Sequence, residues 1–398
     1  MSTATGRTAA EPIRPRTGGG RYEGLVLTLL RTQPGLSRSG ISELTGLSPT
    51  TVTKAVAPLL ERGYVAETGA GVEPRIGRPA IGLRLVPEAV AVCGVHLGVG
   101  TVRAALVDAL GHPQRTITFD FSERQDARSA LGEVAERIRA ELLDTAGAEV
   151  LAIGVGAPGP VDAEHRVNLL SVNLGWRDAP VAEVLERVCD RPVTTDHNVR
   201  AMALAESRFG HQARDIAFVH AKTGVGLGLV LKGEPFFGGH HGVSELGHVQ
   251  VVADGERCPC GARGCLETVA AEPALARSLR QAGVSDATID AGPLAVIDRA
   301  SFPEAAVAEV RARFLAQLAV GLANVVNLLN PELIVVGGIL ANASDVFLTD
   351  LTTATRERVF PLLRDSFRVR RTSFGENAGT VGAAATALEA YFYASTTD

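Results

Sequence analysis

The sequence predicts an α/β protein in two parts: a small three-helix module with a two-stranded extension, then a longer body of alternating strands and helices in two lobes. Apolar residues recur at helical spacing from Arg21 to Gly63, and near Ala91 the pattern changes to apolar strands that end in glycine turns. One strand, turn, strand unit also occurs twice, with Gly98 and Gly100 in the first turn and Gly224 and Gly226 in the second. At 398 residues and 46% hydrophobic, the chain can bury a sizeable core as two or three domains.

Residues 1–20, rich in Gly, Pro, Thr and Arg, carry too little apolar content to fold and are expected to form a disordered arm. A helix follows in RYEGLVLTLLRTQ, closed by Pro34-Gly35. Ser37 can cap a second helix carrying Ile41 and Leu44, Gly46 allows a turn, and Ser48-Pro49 is a cap and first-turn pair for a third. That third helix places Val52, Val56, Leu59 and Leu60 on one face and leaves Thr50, Thr51 and Lys54 on the other, near its start. Pro58 removes a backbone bond, so a kink or early end is expected there.

Two short helices meeting through a glycine turn form a helix-turn-helix, whose second helix suits a major groove. The alternation in YVAETGAGVEPRIGRPAIGLRLVP adds a two-stranded wing, with Arg75 and Arg78 near its tip to lie along phosphates or enter a minor groove. Charge agrees: residues 1–90 hold 11 Lys and Arg against 7 Glu and no Asp, about +4, while the remainder, 28 against 37, is about −9. Residues 21–90 are therefore expected to bind DNA through Ser48, Thr50, Thr51, Lys54, Arg75 and Arg78. The competing reading of the three helices is a plain bundle.

In the body, AVCGVHLGVGTVRAALVDALGH and AFVHAKTGVGLGLVLKGEP are the duplicated strand pairs, and VLAIGVGAPGPVD is a buried strand ending in a glycine loop. The repeat suggests two lobes around a cleft, with each glycine turn able to approach a ligand closely. Neither turn ends as a P-loop does. No stretch reaches 18 uninterrupted apolar residues and the N-terminus lacks a secretory apolar core, so a cytoplasmic protein without membrane attachment is expected.

Of the five cysteines, Cys93 and Cys189 sit among apolar neighbours, while Cys258, Cys260 and Cys265 follow His248 with the spacing H-x9-C-x-C-x4-C. Three thiolates and an imidazole suit tetrahedral zinc, and four protein ligands leave no vacancy for an activated water, so the expected zinc is structural. Glu245 and Glu267 flank this loop, two carboxylates suited to the hydroxyls of a polyol.

With GVSELGHV (242–249), CPCGARGCLE (258–267), GVGAPGPVD (154–162), NLGW (173–176) and LLNPELIVVGGIL (328–340), the chain from residue 91 to 398 resembles the ROK family, named for repressor, open reading frame, kinase. The resemblance implies a two-lobed actin-like ATPase (ribonuclease H-like) fold of the sugar-kinase type. The small lobe would span about 91–200 plus a C-terminal helix at about 380–398, the large lobe about 201–379. It also implies that Glu245, His248 and Glu267 contact a sugar, His248 binding zinc as well, and that Gly337-Gly338 lie where a kinase holds adenosine.

The family's kinases provide a comparison of their catalytic parts. Their first phosphate loop reads Asp-x-Gly-Gly-Thr; here His96 replaces the Asp, Val99 the second Gly and Gly100 the Thr, and in a turn meant for close backbone approach a β-branched Val99 would obstruct phosphate held by the turn's backbone. The second loop, Gly-Thr-Gly in kinases, is Lys222-Thr223-Gly224. Their base is an Asp eight residues before a helical Glu that matches Glu206, which places Asn198 at the base position. Matching Asp196 instead needs two extra helical residues, a rotation of about 200° that turns the apolar face away from the core. An amide cannot accept the proton.

The expectation is therefore a sugar-responsive transcriptional repressor without kinase activity, a homodimer or homotetramer on an inverted-repeat operator. His197, Asn198, Glu245, His248 and Glu267 would bind the effector, a monosaccharide or sugar phosphate, and Asp196 would serve as a helix cap. Lys222, His96 and Arg200 put basic groups in the vacated phosphate region. The rival is an active sugar kinase with a fused DNA-binding domain.

Overall fold

The computed structural model describes residues 22–68, 81–121, 126–162, 164, 166–239, 241–298 and 305–394. The expected arm over 1–20 and the wing tip with Arg75 and Arg78 lie outside the described residues.

Helices α1 (Glu23–Thr32), α2 (Arg38–Thr45) and α3 (Pro49–Glu61) build the front module. Their ends follow local chemistry: Ser37 Oγ accepts the Gly40 N–H and Ser48 Oγ the Thr51 N–H, each at 3.1 Å. Gly46 makes the turn at φ 70°. Ile41 is buried and Leu44 is 55% exposed, because on a two-turn helix only Ile41 faces inward. Helix α3 also runs through Pro58 to Glu61 instead of ending there; buried Val56 and Leu59 hold that turn against the loss of one backbone bond. Strands β1 (Val65–Thr68) and β2 (Gly82–Leu85) pair antiparallel as the base of the wing.

The body opens with β3 (Val90–Leu97), β4 (Thr101–Asp108), β5 (Pro113–Asp120), α4 (Ala127–Ile138) and β6 (Glu149–Ala157). A small antiparallel sheet of β7 (Val161–Asp162), β8 (Val167–Ser171) and β9 (Trp176–Ala179) precedes α5 (Val181–Cys189), β10 (Val193–His197) and α6 (Asn198–Arg208). The first large sheet has the order β10-β6-β3-β4-β5, antiparallel through β3, β4 and β5 and parallel through β6 and β10.

The second half repeats this plan. Strands β11 (Ile216–Ala221), β12 (Val225–Leu231) and β13 (Glu234–Pro235) lead into a loop and helices α7 (Glu267–Ala270), α8 (Glu272–Gln281), α9 (Asp286–Asp290), α10 (Pro293–Ile297) and α11 (Ala305–Leu329). Then come β14 (Leu333–Gly338), α12 (Asp345–Arg356), β15 (Arg368–Arg371) and α13 (Ala378–Tyr391). Its sheet, β13-β12-β11-β14-β15, has the same sequence of antiparallel and parallel neighbours. The repeat of glycine turns is thus a repeat of whole sheets, the two-lobed actin-like plan. Helix α11 is long and apolar enough in composition to cross a membrane, yet Phe314, Leu318, Leu322 and Val326 pack it into the core of the second sheet.

Two helices lie between the sheets. Any Cβ on Gly94 or Gly154 would overlap the α13 backbone at Thr380 and Ala383, and one on Gly228 would overlap Val199 of α6. The absent side chains let α13 rest on the first sheet and α6 on the second. The C-terminal end of α13 then holds the front module. Glu389 pairs with Arg31 of α1 at 2.8 Å and with Arg208 of α6 at 3.1 Å, and the Arg31 guanidinium lies 4.3 Å from the centre of the Tyr393 ring. Phe392 and Tyr393 share one apolar cluster with Val26, Leu30 and Val90.

Gly154→Val is expected to drive α13 off its sheet and destabilise the protein by about 3 kcal/mol, measured by urea denaturation. A stability equal to wild type would mean that the helix does not depend on this approach.

Candidate functional site

On the front module, Thr50 and Lys54 are exposed at the start of α3 and Thr51 is half-buried. The Ser48 hydroxyl is 2.8 Å from that of Thr51 and already caps the helix, so it meets a ligand only from within that pair.

The cysteine loop brings its four expected ligands together. The side-chain ligand atoms of His248, Cys258, Cys260 and Cys265 all lie within 4.8 Å of one another. Cys258 Sγ is 3.6 Å from His248 Nδ1 and Cys260 Sγ is 3.8 Å from Cys265 Sγ. A tetrahedral ion with ordinary Zn–S and Zn–N bonds requires about 3.6 Å and 3.8 Å for such pairs, so the cluster could hold a metal ion. Gly264 gives the loop its reversal, at φ 68° and with Val252 O against its α-carbon. Burial raises the Cys265 thiol to about 12, and a bound cation would reverse this.

Beside the loop, Glu267 Oε2 accepts the Val225 N–H at 3.2 Å. The Gly224 turn lies against this carboxylate and against Asn173 Nδ2. Asn173, in the NLGW stretch, is therefore a further polar group at this edge, which its place in a motif could have signalled. Burial raises the Glu245 carboxyl, His248 opposes the rise and Glu267 adds to it, which places the two carboxylates within electrostatic reach. Asn198 is half-buried at the first position of α6, its carbonyl oxygen accepting the Val199 N–H at 2.8 Å. His197 is buried, and burial followed by the Arg200 charge lowers it to about 3.

Asp196 is not the cap. The N-cap of α6 is His197, whose side chain makes no cap bond. Asp196 still belongs to β10; its Oδ1 accepts the His197 N–H at 2.7 Å and pairs with Arg200 one helical turn on. Arg200, expected in the phosphate region, is buried here instead, donating to Gly242 O as well as to Asp196 and lying 4.0 Å from the centre of the Phe237 ring. This ties the start of α6 to the loop that carries Glu245. Burial raises Asp196 although Arg200 lowers it.

His96 does stand at the first turn, facing the cleft between the sheets, and His220 of β11 stands opposite, with 6.5 Å between ring centres. His220 belongs to no motif in the sequence; its position in the repeated strand, equivalent to that of His96, is the one signal that marks it. Burial lowers His96 to about 4 and His220 to about 3.

Fold and site together define a class: a DNA-binding regulator whose body has the sugar-kinase fold. The profile of the ROK family matches residues 92–390, and that of the winged helix-turn-helix DNA-binding family matches residues 21–66. The chain belongs to the ROK family. It is 28% identical over 357 residues to the xylose repressor of Caldicellulosiruptor bescii, covering 84% of this chain and 87% of the relative. A crystallised ROK family transcriptional regulator, a homolog of the Escherichia coli MLC protein, superposes with a TM-score of 0.78 at 26% identity, covering 94% of this chain and 96% of that one. A ROK family glucokinase from Streptomyces griseus, solved with glucose and AMPPNP, has a TM-score of 0.65 at 26% identity and covers 74% of this chain and 98% of its own. Likeness to the repressor and the regulator thus reaches further along the chain than likeness to the kinase.

His96, His197 and His220 give stability a defined pH dependence. Each titrates near 6.5 when unfolded and at about 3 to 4 in the fold, so unfolding takes up protons between those limits. Stability present above pH 6.5 is lost as the pH falls through this window. Asp196, raised, acts in the opposite direction, from its ordinary 3.8 up to its folded value. Urea midpoints should be level from pH 8 to about 6.5 and then fall, with a shallower fall in His197→Gln; an unchanged slope in that variant would contradict the assignment.

Proposed function

We propose that the protein is a sugar-responsive transcriptional repressor that has lost kinase activity. One observation supports this reading: Asn198, which the ungapped register matches to the family's base Asp, opens α6 with its carbonyl oxygen engaged by the Val199 N–H. A neutral amide has no capacity to take the proton of an attacking hydroxyl, while it can still bind that hydroxyl. Asn198 and His197 from one side, with Glu245, His248 and Glu267 from the other, form the effector edge for a monosaccharide or sugar phosphate. His248 turns Nδ1 toward Cys258, which leaves Nε2 for the ligand. The zinc is structural: His248, Cys258, Cys260 and Cys265 would hold it, and its charge would fix the loop between the two carboxylates.

Residues 21–90 bind an inverted-repeat operator in the cytoplasm through Ser48, Thr50, Thr51, Lys54, Arg75 and Arg78, and residues 91–398 bind effector and partner subunit. The small lobe takes in about 91–200 with the C-terminal helix and the large lobe about 201–379. A homodimer or homotetramer presents two recognition helices to adjacent major grooves. A ligand that prefers one lobe arrangement changes their spacing. The rival kinase reading would use Asp196, a half-buried carboxyl with a raised pKa. Against it, the Asp196 carboxylate is paired with Arg200.

Operator fragments selected from genomic DNA, titrated against a panel of sugars, should show an affinity change of at least about fivefold with the effector. Glu267→Gln should weaken that effector by about tenfold while leaving basal DNA binding intact. Lys54→Ala should lower the salt slope of DNA binding by about 1. Sugar-dependent ADP formation that disappears in Asp196→Ala would instead establish the kinase. Stripping the metal with a strong chelator should release a stoichiometric amount of zinc and lower the melting temperature; a metal-free protein of equal stability would remove the structural role.

A further inference from the structure

The cleft between the two sheets has a volume of about 780 Å³ and is lined from both lobes. Its facing walls are the duplicated strand ends: His96 is second from the end of β3 and His220 second from the end of β11. The rings meet edge to face at 70°. His96 lies against Gly379, where any Cβ would overlap the ring, and His220 Nδ1 is 3.3 Å from the place a Cβ would take on Gly337. Both Nδ1 atoms are buried and, among the described residues, have no hydrogen-bond partner.

A buried N–H without an acceptor is rarer than a buried acceptor without a donor, so the favoured neutral tautomer buries the bare Nδ1 and carries the proton on Nε2. Each ring then offers an N–H to the cleft it lines. Lys222 stands at the same cleft, its side chain 57% exposed and its ammonium 3.0 Å from Glu272. Arg103 lies 3.4 Å from Glu376, and Asp298 accepts from Ser344 N and Oγ at 2.6 and 2.5 Å. At the position where the kinase pattern has an acid the chain has His96, so the first turn offers donors where a divalent cation would need acceptors.

We propose that this cleft binds a phosphate monoester without a divalent cation, its oxygens taken by the Nε2–H groups of His96 and His220 and by the Lys222 ammonium. Because these donors come from both lobes, the bound ester ties the two sheets together. In the empty cleft burial keeps both imidazoles neutral. A phosphate dianion favours imidazolium, so binding takes up protons, more at pH 6 than at pH 8. Arg103 opposes that uptake at His96, and His96 and Lys222 oppose it at His220, while Glu272, Asp298 and Glu376, the acids lining the cleft, are engaged by Lys222, Ser344 and Arg103. The proposal does not rest on the sugar reading, which has its own residues and readout.

The test is calorimetry on the full-length protein in magnesium-free buffer with inorganic phosphate, AMP and glucose 6-phosphate, and with sulfate for comparison. Titrations in two buffers of different ionisation enthalpy measure the proton uptake. At least one monoester should bind more tightly than sulfate, with the preference between AMP and glucose 6-phosphate distinguishing a nucleotide from a sugar source. Lys222→Ala and His220→Gln should each weaken binding by tenfold or more, and His220→Gln should also reduce the uptake. Lys222 is exposed, so its variant carries the test if the histidine variant does not fold. Absence of binding by all three phosphates at millimolar concentration, a requirement for magnesium, or unchanged affinity in Lys222→Ala would overturn the proposal. Binding of unphosphorylated sugars to the same variants reports separately on the sugar edge.

Discussion

Close contact between α6 and α13 is the constraint on which the rest of the molecule depends. Gly382 of α13 has the backbone of Ala201 and Met202 against its α-carbon, and Gly94, Gly154 and Gly228 let the same two helices lie directly on the sheets. Any side chain at these points meets backbone rather than a movable group, so the sheets are held at a distance set by main chains. That spacing defines the cleft, brings His96 opposite His220, and sets Asn198 at the edge of the second lobe.

The same helix pair connects the two ends of the protein. Helix α6 begins at Asn198 and ends at Arg208, and Arg208 shares Glu389 with Arg31 of the front module. Helix α13 begins at the cleft, with Gly379 against His96, and ends in the apolar cluster that seats α1. The front module is thus packed onto the body and not merely joined to it by a linker. Chains of packed side chains and ion pairs of this kind are one means by which two sites are coupled.

Much of the site was legible because its chemistry is local in the chain. Ser37 and Ser48 each bond a backbone N–H three residues on, and the cysteine ligands lie within one loop, so spacing alone foretold both. The errors occurred where the partner is distant or the face is decided by packing. Asp196 was expected to cap α6, but it is still in strand geometry and is taken by Arg200, which is itself pulled inward by Gly242 and Phe237. Pro58 was expected to kink or end its helix early, and buried Val56 and Leu59 carry that helix on to Glu61.

By itself, the sequence determined the helix-turn-helix, the repeated strand and turn units, and the gathering of His248 with Cys258, Cys260 and Cys265, because each depends on residues a few places apart or on a single side chain's chemistry. Only the tertiary structure decided which way Asp196 and Arg200 turn, that Asn173 joins Glu267 at the Gly224 turn, and that His96 meets His220. Arg200 is drawn to Asp196 by Gly242 and Phe237, and the other two contacts likewise join residues far apart in the chain, brought together when glycines allow two helices to pack between two sheets, a distance that no local periodicity contains.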